Sequence, residues 1–183
     1  MVRYPYLTRT RGQTLVEVTD RRDRPLLLMS GAEVRRRSLP HRVVLVLLRD
    51  MRGRVLVARG GADGGSGLWR VSAAGQVLAG EAREDAARRL LALHLGIGGV
   101  QLAPRAALAA SAATGFRQVS LYVAGPAAEV PVPASDLIAQ TMFLDRDELT
   151  GLADHFPEML SSDLLWAVRS GYVFPAARVS RSA

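Results

Sequence analysis

The 183-residue chain contains no cysteine and no lysine. Without cysteine there is no disulfide, no thiolate zinc site and no cysteine nucleophile. Without lysine there is no P-loop, whose lysine reaches the phosphates, and no Schiff-base chemistry. All 24 basic side chains are therefore arginine, against 17 acids, giving a net charge of +7. Aromatic residues are scarce at 5%, and the arginines are spread along the chain instead of clustering with them. That distribution favours solvated arginines over a nucleic-acid surface. Long apolar runs are also missing: the longest with strand character, Val43 to Leu48, falls far short of the roughly 20 residues that cross a bilayer. The N-terminal stretch MVRYPYLTRTRG has arginines but no apolar core of a secretion signal. The expected location is cytoplasmic, without membrane association.

What is present describes a globular protein. Hydrophobic residues make up 49% and charged residues 22%, enough for one domain with a real core. Residues 1–12 and 176–183 read as tails around a single domain at 13–175. Gln13 to Val18 and Pro25 to Ser30 read as strands about a turn at Asp20 to Arg24, and Gly31 to Ser38 as a helical turn or two. The unbroken run Val43 to Leu48 suits a central strand buried on both faces. Arg54 to Ala58 returns from a turn at Asp50 to Gly53, and Gly60 to Gly67 is a glycine-rich loop. Leu68 to Ala73 and Gly75 to Val77 are short strands. Further strands are expected at Gln101 to Leu108, Arg117 to Ala124 and Met142 to Leu144, with a proline-bearing loop at Gly125 to Ser135. Asp145 and Glu148 have capping-box spacing, and a last helix is expected from Ser162 to Ser170, capped by Ser161 or Ser162.

The most informative stretch is Gly75 to Ile97, GQVLAGEAREDAARRLLALHLGI. Gly80-Glu81 is expected to open a helix of about four turns that Gly96 closes. Its landmarks are Gly75, five residues, Glu81, seven residues, Arg89, then Leu91, Gly96 and Ile97. This spacing resembles the signature of the Nudix hydrolases, which cleave diphosphates linked to another group. The frame residues are Gly75, Gly80, Glu81, Arg89 and Gly96. Gly67-Leu68-Trp69 stands where the family has a Gly-x-Trp, and Ser72-Ala73-Ala74-Gly75 replaces its Pro-Gly-Gly. Val18-Thr19-Asp20, His41-Arg42 and Val55 to Arg59 look like the isopentenyl-diphosphate-isomerase-like branch. The resemblance covers about residues 13–172. It implies an α/β (α+β) Nudix fold, a mixed central β-sheet between α-helices.

The resemblance also implies an enzyme acting on nucleoside-diphosphate-type substrates with Mg²⁺ or Mn²⁺. Glu81 is then the catalytic candidate, and Arg59, Trp69 and Arg70 are the substrate-binding candidates at the mouth of the pocket. In the family, a glutamate follows the arginine and two more come three and four residues later, holding the metal. Here those positions are Leu90, Leu93 and His94, so no metal ligands are assigned and metal-dependent hydrolysis is expected to be weak or lost. Asp136, Glu129, Glu84 or Asp85 would have to rebuild the site. In the isomerases a second histidine and a cysteine act near the box glycine; His41 matches one histidine, while Gln76 and Ala74 stand at the other two positions.

Read as a helical surface, the stretch has two apolar stripes: Ala82, Ala86, Leu90 and Leu93 on one side, Ala87, Leu91 and Leu95 on the other. Glu84 with Arg88, and Asp85 with Arg89, have the favourable i,i+4 order. The apolar former metal face motivates a second expectation, a non-catalytic ligand-binding or protein-interaction module. Leu90 and Leu93 would then be buried against another segment, an apolar ligand or the second copy of a homodimer. Either expectation admits a phosphate-containing small molecule as ligand.

Overall fold

The computed structural model describes residues 14–60, 67–127, 131 and 138–174. Two aspartates shape the first hairpins in the same way. Asp20 Oδ1 accepts from the N–H groups of Arg22 and Arg24, and Asp50 Oδ1 from those of Arg52 and Arg54. Each aspartate thereby turns the chain with its own side chain. The first turn joins β1 (Leu15–Thr19) to β2 (Pro25–Ser30), and the second joins β3 (His41–Asp50) to β4 (Val55–Gly60). Between them lies α1 (Gly31–Arg36), where Ser30 Oγ accepts from Glu33 N–H at the N-cap.

Strand β3 is the axis of the fold. Val43 to Leu48 are all buried, as their continuous apolar character predicts. On one side β3 pairs antiparallel with β6 (Ala73–Gln76), and on the other parallel with β8 (Arg117–Ala127). Beyond β8 lies β7 (Leu102–Leu108), antiparallel to it. Strand β4 leaves β3 to pair antiparallel with β5 (Trp69–Arg70) and β9 (Ile138–Leu144). Ser72 stitches this divergence: its buried hydroxyl donates to Leu56 C=O at 2.6 Å and accepts from Leu48 N–H at 2.7 Å.

Alternation along β3 sorts the core into two layers. Val43, Leu45 and Leu47 meet α3 (Arg146–His155) and α4 (Ser162–Arg169) through Leu149, Ala153, Leu164 and Ala167. Val44, Val46 and Leu48 meet α2 (Arg83–Leu95) through Ala86, Ala87, Leu90, Leu91 and Leu95. The sheet is thus mixed and lies between helices, as expected from the sequence.

The local signals in the sequence set the helix ends. Asp145 and Glu148 form the reciprocal capping box of α3, and Ser161 caps α4. Asp145→Ala is expected to cost about 1 kcal/mol, because an N-cap acceptor and the charge at the helix start are both lost; the midpoint of urea denaturation measures it. Several boundaries differ from expectation: β8 runs to Ala127, into the loop expected from Gly125, because pairing with β3 continues past Ala124. The α2 helix begins at Arg83 after Ala82, leaving Gly80 and Glu81 in the preceding turn. Strand β9 begins at Ile138, four residues before Met142, because pairing with β4 extends it past its most strand-like residues. Gly96 closes α2 in the left-handed conformation, φ 66°, which glycine adopts without steric cost. Asp136, Glu129 and the loop at 61–66 lie outside the described residues.

Candidate functional site

The turn that enters α2 is built around Glu81. Leu78 N–H donates to its carboxylate at 2.9 Å, and Arg89 donates to both oxygens at 2.7 and 2.8 Å. Arg89 also donates to Gln76 C=O at 3.0 Å, so one guanidinium joins the helix, the turn and the end of β6. Burial pushes the Glu81 pKa up, but the Arg89 hydrogen bond, the Leu78 N–H and the Arg89 charge together outweigh it and leave it lowered. Glu81 is therefore an ionised anchor committed to Arg89, rather than a free carboxylate. Arg89 reaches Glu81 instead of the expected Asp85, whereas the Glu84–Arg88 pair forms as expected at 2.5 Å. The helix dipole favours both acids at this end.

A second set of ions at this end was not legible beforehand. Arg42 pairs with Glu17 and Asp23, Arg83 also pairs with Asp23, and Gly80 N–H donates to Glu17 at 3.4 Å. These partners come from β1, the first turn, β3 and α2. No local spacing links them, and the only available signal was the presence of acids on the strand leading to the first turn.

The face of α2 at the three replaced positions is split. Leu90 is 3% exposed and packs onto β6, whereas Leu93 is 53% exposed. The contact is close: a Cβ on Gly75 would lie 2.5 Å from Leu90 Cδ2. Any side chain on Gly75 would therefore force Leu90 to shift. Of the two leucines expected to be buried, Leu90 is covered by its own sheet, while Leu93 is exposed on this chain. Leu93, three residues further along α2, extends into solvent.

His94 is partly buried beside a cavity of about 150 Å³ that Arg59 and Arg70 also line, with Ala73 and Ala74 as part of its wall. Burial, followed by the charges of Arg89 and Arg70, lowers the His94 pKa, so the ring is neutral near pH 7. Arg59 donates from Nε to Gly67 C=O at 2.6 Å, and its guanidinium lies 5.9 Å above the Trp69 ring. Two of the three expected ligand-binding residues, Arg59 and Arg70, therefore meet at one cavity. Trp69 does not join them: it is buried in the layer facing α3 and α4. Alternation in β5 sends Trp69 and Arg70 to opposite faces, and Arg59, the register partner of Trp69 on β4, extends over its ring.

Across β6 lies a larger cavity of about 350 Å³. Val43, Leu45 and Ala74 give it apolar wall, and Arg35, His41, Gln76, Arg117 and Asp163 supply polar groups. Arg35 donates to Gln76 Oε1 at 2.9 Å, and Arg117 forks onto Asp163 at 2.9 and 3.0 Å. His41 Nδ1 lies 2.7 Å from Leu39 C=O, which assigns the proton to Nδ1 and a lone pair to Nε2. Burial lowers the His41 pKa, the Leu39 carbonyl raises it, and Arg117 and Arg35 lower it further; the net shift is downward. Apart from His41 and the parts of β6, this lining was not foreseen, because it joins α1, β3, β8 and α4.

Residues 39–161 match the NUDIX domain model, and the chain belongs to that family. Its fold is similar to that of the DR0079 protein from Deinococcus radiodurans: TM-score 0.74, 22% identity, 86% of this chain and 99% of that one. It is also similar to a MutT NUDIX hydrolase from Burkholderia pseudomallei: TM-score 0.57, 20% identity, 71% of this chain and 96% of that one. At these identities the likeness establishes the fold. No curated protein matches the chain.

Nudix hydrolases generally use divalent metal ions. The described residues do not fit one: magnesium requires hard oxygen ligands, Leu90 and Leu93 offer none, and Glu81 is held by Arg89. No group of three or more His, Asp or Glu side chains suited to a metal occurs among the described residues. None of the described helices is long and apolar enough to cross a membrane.

Proposed function

We propose that this Nudix domain binds a phosphate-bearing small molecule in the cavities flanking β6, and that metal-dependent hydrolysis by the route of the box is weak or lost. The observation that carries the proposal is the packing of Leu90 onto Gly75. A hydrocarbon contact fills the position where a ligand oxygen would be needed. The arginines support the ligand class. Arg59 and Arg70 flank one cavity, and Arg35 and Arg117 flank the other. Arginine offers a planar fork of donors suited to phosphate oxygens. The apolar wall of the larger cavity suits the non-phosphate body of a nucleoside-diphosphate-type ligand.

The likeness to the isopentenyl-diphosphate-isomerase-like branch is part of this reading as ancestry only. Ala74 and Gln76 supply neither thiol nor imidazole beside His41. A homodimer through the α2 face is the weaker reading, since Leu90 is already covered and only Leu93 extends outward.

The test pairs turnover with binding over a panel of nucleoside diphosphate derivatives, with Mg²⁺ and with Mn²⁺. Saturable binding is expected, weakened about tenfold by Arg59→Ala through loss of a charged donor. Hydrolysis should be weak and no lower in Glu81→Gln than its change in stability explains. Turnover on the order of 1 s⁻¹ or faster, abolished in a folded Glu81→Gln variant, would overturn the proposal.

A further inference from the structure

At the other end of β3, remote in register from His41, a cavity of about 260 Å³ is lined by Arg49, Arg105, Gln101 and Asp50. Two irregularities in strand pairing bring the arginines there. The β3–β8 register passes from Leu48↔Ala124 to Asp50↔Ala127, which leaves Arg49 opposite Gly125-Pro126. The β7–β8 register passes from Pro104↔Tyr122 to Ala106↔Leu121, which makes Arg105 the extra residue of a bulge. Bulges re-aim side chains and recur beside functional sites.

Arg49 and Arg105 form no ion pair among the described residues. Arg49 donates one Nη2 hydrogen bond to Val173 C=O, and its Nε is buried without a partner. Burial, then the charges of Arg105 and Arg146, lower the Arg49 pKa, as expected where like charges converge. Asp50 does not relieve them, because its carboxylate is occupied by Arg54 Nε and by the N–H groups of Arg52 and Arg54. A buried guanidinium N–H left unbonded is costly. An anion beside it would satisfy that donor and separate the like charges.

We propose that Arg49 and Arg105 form a second anion site, separate from the cavities flanking β6, that takes a small phosphate-type anion. The open cavity and the guanidinium forks suit a compact tetrahedral oxyanion, and a dispersed stripe suited to a polymer is absent from this lining.

Isothermal titration with inorganic phosphate at low ionic strength tests the site, with backbone amide shifts in NMR locating it. Saturable binding is expected, with shifts confined to Arg49, Arg105 and their strand neighbours. Arg105→Ala should weaken it about tenfold or more. Because Arg105 is exposed on the bulge, this variant should retain the wild-type thermal midpoint. Arg49→Lys keeps the charge but removes the fork and should also weaken binding, whereas Arg59→Ala should leave it unchanged. Absence of saturable binding, or binding unaltered in Arg105→Ala and Arg49→Lys, overturns the proposal. So does phosphate uptake that is lost in Arg59→Ala, or Arg105-dependent binding of an oligonucleotide without binding of phosphate.

Discussion

Replacing Leu90 with glutamate is expected to destabilise the domain by about 3–5 kcal/mol, the cost of leaving an uncompensated charge in a buried position. The Leu90 side chain is enclosed by α2, β6 and the apolar layer of Val44, Val46 and Leu48. The arginine beside it in sequence, Arg89, is engaged by Glu81 and Gln76. A loss of this size is a large fraction of the 5–15 kcal/mol by which domains are stable, so a populated unfolded fraction is expected at 25 °C. Leu90→Ala separates charge from volume and should cost about 2–5 kcal/mol through lost burial and a residual cavity. Leu93→Glu, three residues on, should change stability by no more than about 0.5 kcal/mol, because its side chain is in solvent. Urea denaturation of the three variants decides the matter. A Leu90→Glu protein as stable as the parent, and gaining Mg²⁺-dependent hydrolysis, would mean that the face opens readily to a ligand oxygen. The binding reading would then fail.

The second large effect belongs to Arg89. Its side chain is 32% exposed and that of Glu81 14%, so the pair is screened by water on one side only. Arg89→Ala removes both hydrogen bonds to Glu81 and the bond to Gln76 C=O. It leaves a largely buried carboxylate with only the Leu78 N–H. About 2–3 kcal/mol is expected, below the range for fully buried pairs. Glu81→Gln should cost less, about 1 kcal/mol, because the amide retains an acceptor and the shape. The pH dependence follows from the lowered Glu81 pKa. A carboxylate with a depressed folded-state value contributes stability that is present above its ordinary pKa of 4.5 and lost as pH falls through the folded value. Below pH 4.5 the parent should therefore lose this contribution, and the gap between parent and Arg89→Ala should narrow. A gap that widens on acidification would contradict the assignment of Glu81 as Arg89's ionised partner.

These two predictions concern the same helix and show how differently its residues could be read in advance. Gly75, Glu81, Arg89 and Gly96 are separated by fixed numbers of residues on a turn and one helix, so their spacing alone indicated the fold. The two aspartate turns, the capping box at Asp145 and the Ser161 cap are similarly short-range, and each is set by a side chain within four residues of its partner. Val43 to Leu48 required no partner to be recognised, because a strand covered on both faces is apolar throughout.

Whatever depended on which surface covers which side chain had to await the fold. Leu90 and Leu93 lie on one stripe of α2, yet Gly75 of β6 covers the first and the second lies in water. Trp69 and Arg70 are adjacent in sequence, and the placement of β5 beside β4 sent one into the core and the other to a cavity. Arg89 had acids available at Asp85 and Glu81, and the turn before the helix decided between them. The Arg49 and Arg105 cavity depends on two register shifts between strands distant in sequence. By itself the sequence determined the family frame, the strand axis and the helix ends, since those rest on local bonding and hydrophobic period. Tertiary structure decided burial, pairing and cavity lining, since these arise only when residues far apart in the chain compete for the same space and the same charges.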